Sequence, residues 1–192
     1  MAEKENKTNA IRRFDSAKIP YTIHRYEHGE GAVDGAHIAS LLGIDPAVVY
    51  KTLVTRGSDK NYYVFDIPVL AELDLKKAAK AAGVKSVEMI HVAEINALTG
   101  YVRGGCSPVG MKKQFKTYFD KSAEGLEHML VSAGRIGWQI EAAPRDIASL
   151  CGAVFAELVH EGSFKHLLFT VIDECFHAYF SMSSRNRHIR RL

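Results

Sequence analysis

Short strand-like runs broken by short helical ones, with no long regular stretch of either, are the feature that most limits the architecture open to this chain. Residues 21–27 alternate as a strand does, Tyr21, Ile23 and Arg25 on one face against Thr22, His24 and Tyr26 on the other. Residues 48–55 are rich in β-branched side chains and predict a second strand, and Arg56-Gly57-Ser58-Asp59 reads as a turn into a third over 62–67. Further strand patterns fall near 87–90, 115–119, 128–131 and 138–141. Helical spacing marks residues 8–17, through Ile11, Phe14 and Ala17, and residues 36–42, stopped by Gly43. Asp74 is placed to cap a helix through Ala82 with Lys76, Lys77 and Lys80 on its wet side, and a short helix is expected over 93–98. Pro144 opens a last helix, expected to carry Ile147, Leu150, Val154 and Leu158. This mixed order argues for an α+β fold rather than a doubly wound α/β one.

Composition narrows the class. With 192 residues, 47% hydrophobic and 24% charged, the chain is long enough to bury a substantial core in one domain. The formal charge of +3 suits a polyanionic partner without requiring one. Cys106, Cys151 and Cys175 are odd in number and form no CxxC pair, so a reducing compartment is expected over a disulfide framework. The polar start MAEKENKTNA lacks the apolar run of a secretory signal, and no stretch approaches the roughly 20 apolar residues that span a bilayer. A cytoplasmic protein is the expectation. Residues 1–160 read as the folded domain, and 161–192 as an extension ending in the basic tail SSRNRHIRRL, expected to be disordered or weakly docked, with a phosphate-binding arm as the alternative.

Few residues offer chemistry. Lys51 stands mid-strand in VVYKTLV, either as a solvent-facing edge lysine or as a cation projected into a cleft to hold a phosphate or polarise a carbonyl. The segment GYVRGGCSPVG carries Gly104, Gly105, Ser107 and Gly110, a loop with little side-chain bulk whose backbone amides could converge on an oxyanion, or an ordinary hairpin turn. Its spacing is neither GxGxxG nor GxxxxGK[ST], which removes the common nucleotide-binding motifs. Cys106 within it is either a nucleophile served by a distant histidine such as His91 or His128, or a small apolar filler. The similar loop SAGRIG places Ser132 to bind a ligand or to complete a turn. His24 and His28 lie too far apart on a strand to share a metal, and no other His/Cys spacing matches a zinc site, so no metal is expected. No paired acids and no Ser/His/Asp set are evident. The chemistry left is that of backbone donors and one lysine.

In order along the chain, KTLV (51–54), LDLKKAAKAAGVKSVEM (73–89), TGYVRGGCSPVG (99–110), VSAGRIG (131–137) and the helix-opening APRDIASLCGA resemble the YbaK/EbsC family, over roughly residues 11–159. The resemblance implies a mixed sheet closed into a barrel-like core with surrounding helices. It also implies a trans-acting deacylase without metal or organic cofactor, clearing cysteine from proline tRNA alone or in transient complex with prolyl-tRNA synthetase. Cysteine and proline differ too little in size for a single steric sieve, since a methylene-scale difference discriminates by only about 1–3 kcal/mol. In the YbaK branch the substrate's own thiol attacks the ester, which fits the absence of a general base. Carried over by position, Lys51 would steady the terminal adenosine or its phosphate, and Gly104 and Gly105 would offer amides to the carbonyl. Ser107 would shape the turn, Tyr26 would border the aminoacyl pocket, and Ser132, Gly134 and Gly137 would line the opposite wall. The segment 29–34 departs from the family pattern, leaving Val33 nearest the position that closes the pocket. An editor of alanine or another small amino acid, and a non-catalytic tRNA-binding module that recruits tRNA to a synthetase, are the rival readings.

Overall fold

The computed structural model describes residues 6–29 and 31–160; the basic tail and the rest of 161–192 lie outside the described residues. Local signals set the helix ends. The first helix, α1 (Asn9–Ala17), starts where the Thr8 hydroxyl accepts the Ile11 amide at 3.2 Å, and it buries Ala10, Ile11 and Phe14. The second, α2 (Gly35–Leu42), is capped by Asp34 and closed by Gly43 in the left-handed region. In α3 (Leu75–Ala82) the Asp74 side chain accepts from the Lys76 and Lys77 amides, and Gly83 ends the helix in the same way. Lys76 and Lys80 are exposed as expected, but Lys77 is half-buried and donates to the Val159 carbonyl at 2.9 Å. Two further helices are α4 (Val92–Thr99) and α5 (Pro144–Cys151).

Eight strands form two sheets among the described residues. β1 (Thr22–Arg25), β7 (Trp138–Ala142) and β6 (Met129–Ser132) lie in the order β1-β7-β6, all antiparallel. The larger sheet runs β4-β2-β3-β5-β8, from β2 (Tyr50–Gly57), β3 (Tyr62–Pro68), β4 (Val87–Met89), β5 (Lys116–Asp120) and β8 (Val154–Ala156). Its β4-β2-β3 part is antiparallel, whereas β3-β5 and β5-β8 are parallel, so the sheet is mixed. A parallel bridge between Val49 and Leu130 joins the two sheets. The α+β class stands on this arrangement.

Three apolar clusters organise the packing. One sets Ile11 and Phe14 of α1 and Ile147 of α5 against Met129, Val131 and Ile140 of the small sheet. A second packs Ala78, Ala79 and Ala82 of α3 on Tyr63, Phe65 and Ile67 of β3. The third is small and sits at the joint: Ala39 of α2 with Val49, Val69 and Leu130. There α2 approaches so closely that a Cβ on Gly35 would overlap the Val69 side chain. Everything at the candidate site is hung from this joint.

Two segments differ from the sequence reading. The last helix does not carry Val154 and Leu158: it ends at Cys151, Gly152 turns left-handed at φ 65°, and Val154–Ala156 becomes β8 alongside β5. The apolar spacing at 147, 150, 154 and 158 mimics a helix because Leu158 is buried for another reason, its amide donating to the Asp120 carboxyl at 3.0 Å. The second strand also begins later than expected, because Pro46–Val48 form a 3₁₀ turn, and it continues through Gly57 before the reversal at Lys60, φ 66°.

Asp120, 3% exposed, ties these parts together, since it also accepts from the Ser122 amide and hydroxyl at 3.0 and 2.6 Å. Asp120→Ala removes the acceptor and leaves the Leu158 amide buried without a partner, so unfolding in urea is expected to show a loss of about 2–4 kcal/mol.

Candidate functional site

A cavity of about 110 Å³ opens beside the joint between the sheets. Lys51 and Thr52 of β2 form one wall, Gly104 and Cys106 of the glycine-rich loop another, and Ser132 and Gln139 of the small sheet a third. Val33, Gly35 and Ile38, leading into and through α2, cover it. Lys51 is half-buried, and its ammonium donates to the Val69 carbonyl at 2.9 Å. Burial lowers its pKa from the ordinary lysine value, and the charges of Asp34 and Glu72 pull it part of the way back. A lysine ammonium has three donors, so two remain for a guest. The edge-lysine alternative is set aside by this geometry.

The two glycine-rich loops meet backbone to backbone. A Cβ on Gly105 would stand 2.9 Å from the Ile136 nitrogen and 3.0 Å from the Arg135 carbonyl carbon, so this contact admits only glycine. Gly104 is left-handed at φ 82° and passes against Ala32. The expected donor role of Gly105 needs correcting: its amide is already committed to the Val102 carbonyl at 3.0 Å. The amides of Gly104 and Cys106, whose residues border the cavity, have no acceptor among the described residues. Gly105 contributes close approach, and its neighbours hold the unengaged donors.

The remaining expected residues fall in two groups. Ser132, 9% exposed, borders the cavity and also completes a turn by accepting the Gly134 amide at 3.3 Å. Ser107 is fully buried and accepts the Val109 amide at 3.3 Å; it shapes the loop and does not border the cavity. Gly134 and Gly137 are turn positions, φ 86° and 85°, packed against the Tyr101 ring and the His28 ring respectively, and neither borders the cavity. Tyr26 lies under the same turn, its amide donating to the Gly137 carbonyl at 3.0 Å and its hydroxyl buried without a partner among the described residues. It too is absent from the cavity wall, so its expected role there is corrected to support of the SAGRIG turn.

Three polar residues escape a reading of the sequence. Gln139 pairs in register with Ser132 across β6 and β7, is 3% exposed, and leaves its Oε1 unpartnered among the described residues while bordering the cavity. Thr52 borders the cavity and donates to Asp66 at 3.0 Å. Asp66 is fully buried, and desolvation raises its carboxyl to about 7, the Thr52 hydrogen bond offsetting part of the rise. Asp66 and Gln139 each stand between apolar neighbours in their strands, and a lone polar residue in such a run is the only trace they leave in the sequence, whereas Thr52 sits beside Lys51 and leaves none. Burial also pushes the Cys106 thiol up to about 12, with the nearby Asp66 charge adding to it. A thiol so held stays protonated, which favours the filler reading over the nucleophile. His24 faces Glu141 and His28 faces the Gly29 carbonyl, and no group of three potential metal ligands occurs among the described residues.

Comparison with known proteins assigns the family. Residues 30–150 match the aminoacyl-tRNA editing domain. The chain belongs to that family. Over 160 residues it is 47% identical to EbsC of Enterococcus faecalis, provisionally named a Cys-tRNA(Pro)/Cys-tRNA(Cys) deacylase, covering 82% of this chain and 98% of that protein. Among solved structures, one provisionally named a trans-editing enzyme for prolyl-tRNA synthetase shares the fold at TM-score 0.67 and 23% identity, over 81% of this chain and 99% of that one. A hypothetical protein shares it at TM-score 0.71 and 22% identity, over 80% of this chain and all, 100%, of its own. The editing-domain fold is therefore present here, and the family's activity makes this chain an aminoacyl-tRNA deacylase. No helix among the described residues is long and apolar enough to cross a membrane.

The raised Asp66 carboxyl has a consequence for stability. Because its folded value, about 7, lies above the ordinary 3.8, the folded state holds the proton more tightly than the unfolded chain does. Stability therefore falls as pH rises between about 4 and 7, at up to about 1.4 kcal/mol per unit, and this contribution is flat above that window. Asp66→Asn, which cannot ionise, is expected to gain on the wild type steadily through the window in denaturant melts, the gap levelling off above neutrality.

Proposed function

We propose that this editing domain removes cysteine from tRNA(Pro), acting in trans. The observation that carries the reading is one small cavity in which Lys51, Gly104 and Ser132 meet. Its volume, about 110 Å³, suits a side chain of cysteine size and is well below the ~300–1,000 Å³ of sites that enclose whole ligands. The activity for which the Enterococcus relative is named supports the same substrate.

In this reading the chain supplies no base. The cysteine sulfur of the substrate attacks its own ester carbonyl, a carbon–sulfur bond forms as the bond to the ribose oxygen breaks, and the thiol proton ends on that oxygen. Cyclic thiolactone and free tRNA leave. The amides of Gly104 and Cys106, with the two free donors of Lys51, take up the negative charge that gathers on the carbonyl oxygen. The unpartnered Gln139 Oε1 is an acceptor suited to the substrate ammonium. Enclosure holds the thiol near the carbonyl, which by itself replaces much of what an external nucleophile would require. Residues 1–160 form the catalytic domain in this reading, with the two joined sheets as a barrel-like core, prolyl-tRNA synthetase as a transient partner and the cytoplasm as the site of action.

Single-turnover release of labelled cysteine from Cys-tRNA(Pro) tests it. The wild type is expected to release cysteine well above the buffer rate, and Lys51→Ala to slow release by on the order of 10–100-fold. Serine on the same tRNA, a poorer nucleophile of nearly the same size, is expected to react far more slowly. Faster release of alanine than of cysteine would transfer the specificity to a small-residue editor. No release at saturating protein would leave only the tRNA-binding module.

A further inference from the structure

A second, larger concavity lies across the glycine-rich loop from the first. Its volume is about 370 Å³, and its walls include Arg12 and Arg13 of α1, Lys113 and Gln114 of the stretch before β5, and Phe115. All three cations are exposed, and none has an ion pair or side-chain hydrogen bond with a described residue. No Asp or Glu borders the cleft among the described residues. The acid nearest in sequence, Asp15 on the same helix, is already engaged by the Lys7 ammonium at 2.6 Å and the Tyr21 hydroxyl at 2.8 Å. Arginine pairs bring forked donors that match phosphate oxygens, and exposed like charges left unneutralised on two adjoining elements repel unless an anion joins them.

The loop itself ties this cleft to the candidate site. Cys106 borders the small cavity and Pro108 borders the cleft, two residues further on and so within roughly 7 Å along the backbone. The small cavity has room for the aminoacyl group and nothing more, so the terminal nucleotides of an aminoacylated RNA must run outside it. We propose that the cleft holds the phosphate backbone of the substrate RNA near its aminoacylated end, Arg12, Arg13 and Lys113 taking the phosphates and the partly exposed Phe115 offering a face for a base. This rests on the deacylase reading above. A polyanion is the better occupant than a free small anion because the cations come from two separate elements around a concavity of about 370 Å³, room for more than one phosphate.

The test uses full-length protein carrying Arg12→Ala, Arg13→Ala and Lys113→Ala together, beside a control in which the exposed Lys76, Lys80 and Lys85, remote in sequence from the cleft, are changed to Ala. For the first variant KM for Cys-tRNA(Pro) is expected to rise roughly tenfold or more while the saturated single-turnover rate stays within about twofold. Its binding of uncharged tRNA(Pro), followed against salt, should lose about 0.7 in log–log slope for each phosphate contact removed. The lysine control should leave both unchanged, and thermal melts check that each variant is folded. Equal KM and equal slope in wild type and variant would overturn the proposal while leaving the deacylase intact. Binding of inorganic phosphate or AMP by the wild type but not by the variant, with tRNA binding equal in the two, would also overturn it, making the cleft a small-anion site. An inactive wild type would instead sink the deacylase reading, and the tRNA-binding arm would still decide the cleft.

Discussion

The contact on which the site depends is the seating of the Gly105 backbone directly on the backbone of Arg135 and Ile136. Main chains approach this closely only where neither carries a Cβ between them, so the contact is a property of residue identity. It brings Gly104 and Cys106 to the same cavity that Ser132 and Gln139 reach from the small sheet. The Val49–Leu130 bridge performs the matching service for β2 and so for Lys51. Three elements distant in sequence are thereby fixed at one point by backbone geometry, and the side chains there need little freedom of their own. Amides held in this way are already oriented before any ligand arrives, which is the condition under which hydrogen-bond donors stabilise developing charge without first reorganising.

The electrostatics of the neighbourhood follow from burial more than from pairing. Lys51 is drawn down and Asp66 up, both chiefly by desolvation, so each is closer to neutrality than its exposed counterpart. Thr52, next to Lys51 in β2 and paired in register with Asp66 of β3, turns its hydroxyl to the Asp66 carboxyl, and no Asp or Glu borders the cavity among the described residues. The result is a polar pocket with little fixed negative charge on its walls, which is what a site that must accumulate charge on an ester oxygen requires. A carboxylate facing the cavity would oppose the same step by several kcal/mol at the low effective dielectric of a protein interior.

Much of the frame was legible in the sequence because it is written in caps. Asp74 accepts the amides that open its helix, and Gly43 and Gly83 adopt the left-handed turn that ends theirs, whereas the caps at Thr8 and Asp34 emerge only from the structure. Lys51, Gly104 and Ser132 were legible through their ordered motifs, and the structure brings those three together. Other roles were not legible, for definite reasons. Val154 and Leu158 keep a helical period by coincidence, and only the pairing of β8 with β5 overrules it. The amide of Gly105 is spent on Val102, a hydrogen bond that no residue type announces. Gly134, Gly137 and Tyr26 act through the turn they build, at one remove from the cavity. Gln139 and Asp66 gain their meaning from burial, and burial of a single polar residue in a strand depends on which sheet faces which helix.

The disparity between the two concavities bears on how an editing enzyme can be selective without a large pocket. A cavity of about 110 Å³ excludes bulky side chains, but it cannot by contact alone separate cysteine from alanine or serine, since differences of one small group are worth only about 1–3 kcal/mol. Tight binding of the RNA would not help, because every aminoacyl form of the same tRNA offers identical phosphates. Such binding is uniform between ground and transition states and sets affinity, not discrimination. On the thiol-assisted reading discrimination moves to the reaction itself, because only a substrate carrying its own nucleophile reacts quickly in a pocket that lacks one. The half-buried, protonated Cys106 is compatible with that division: a reactive thiolate in the wall would attack every ester admitted and abolish the selectivity that the missing nucleophile confers.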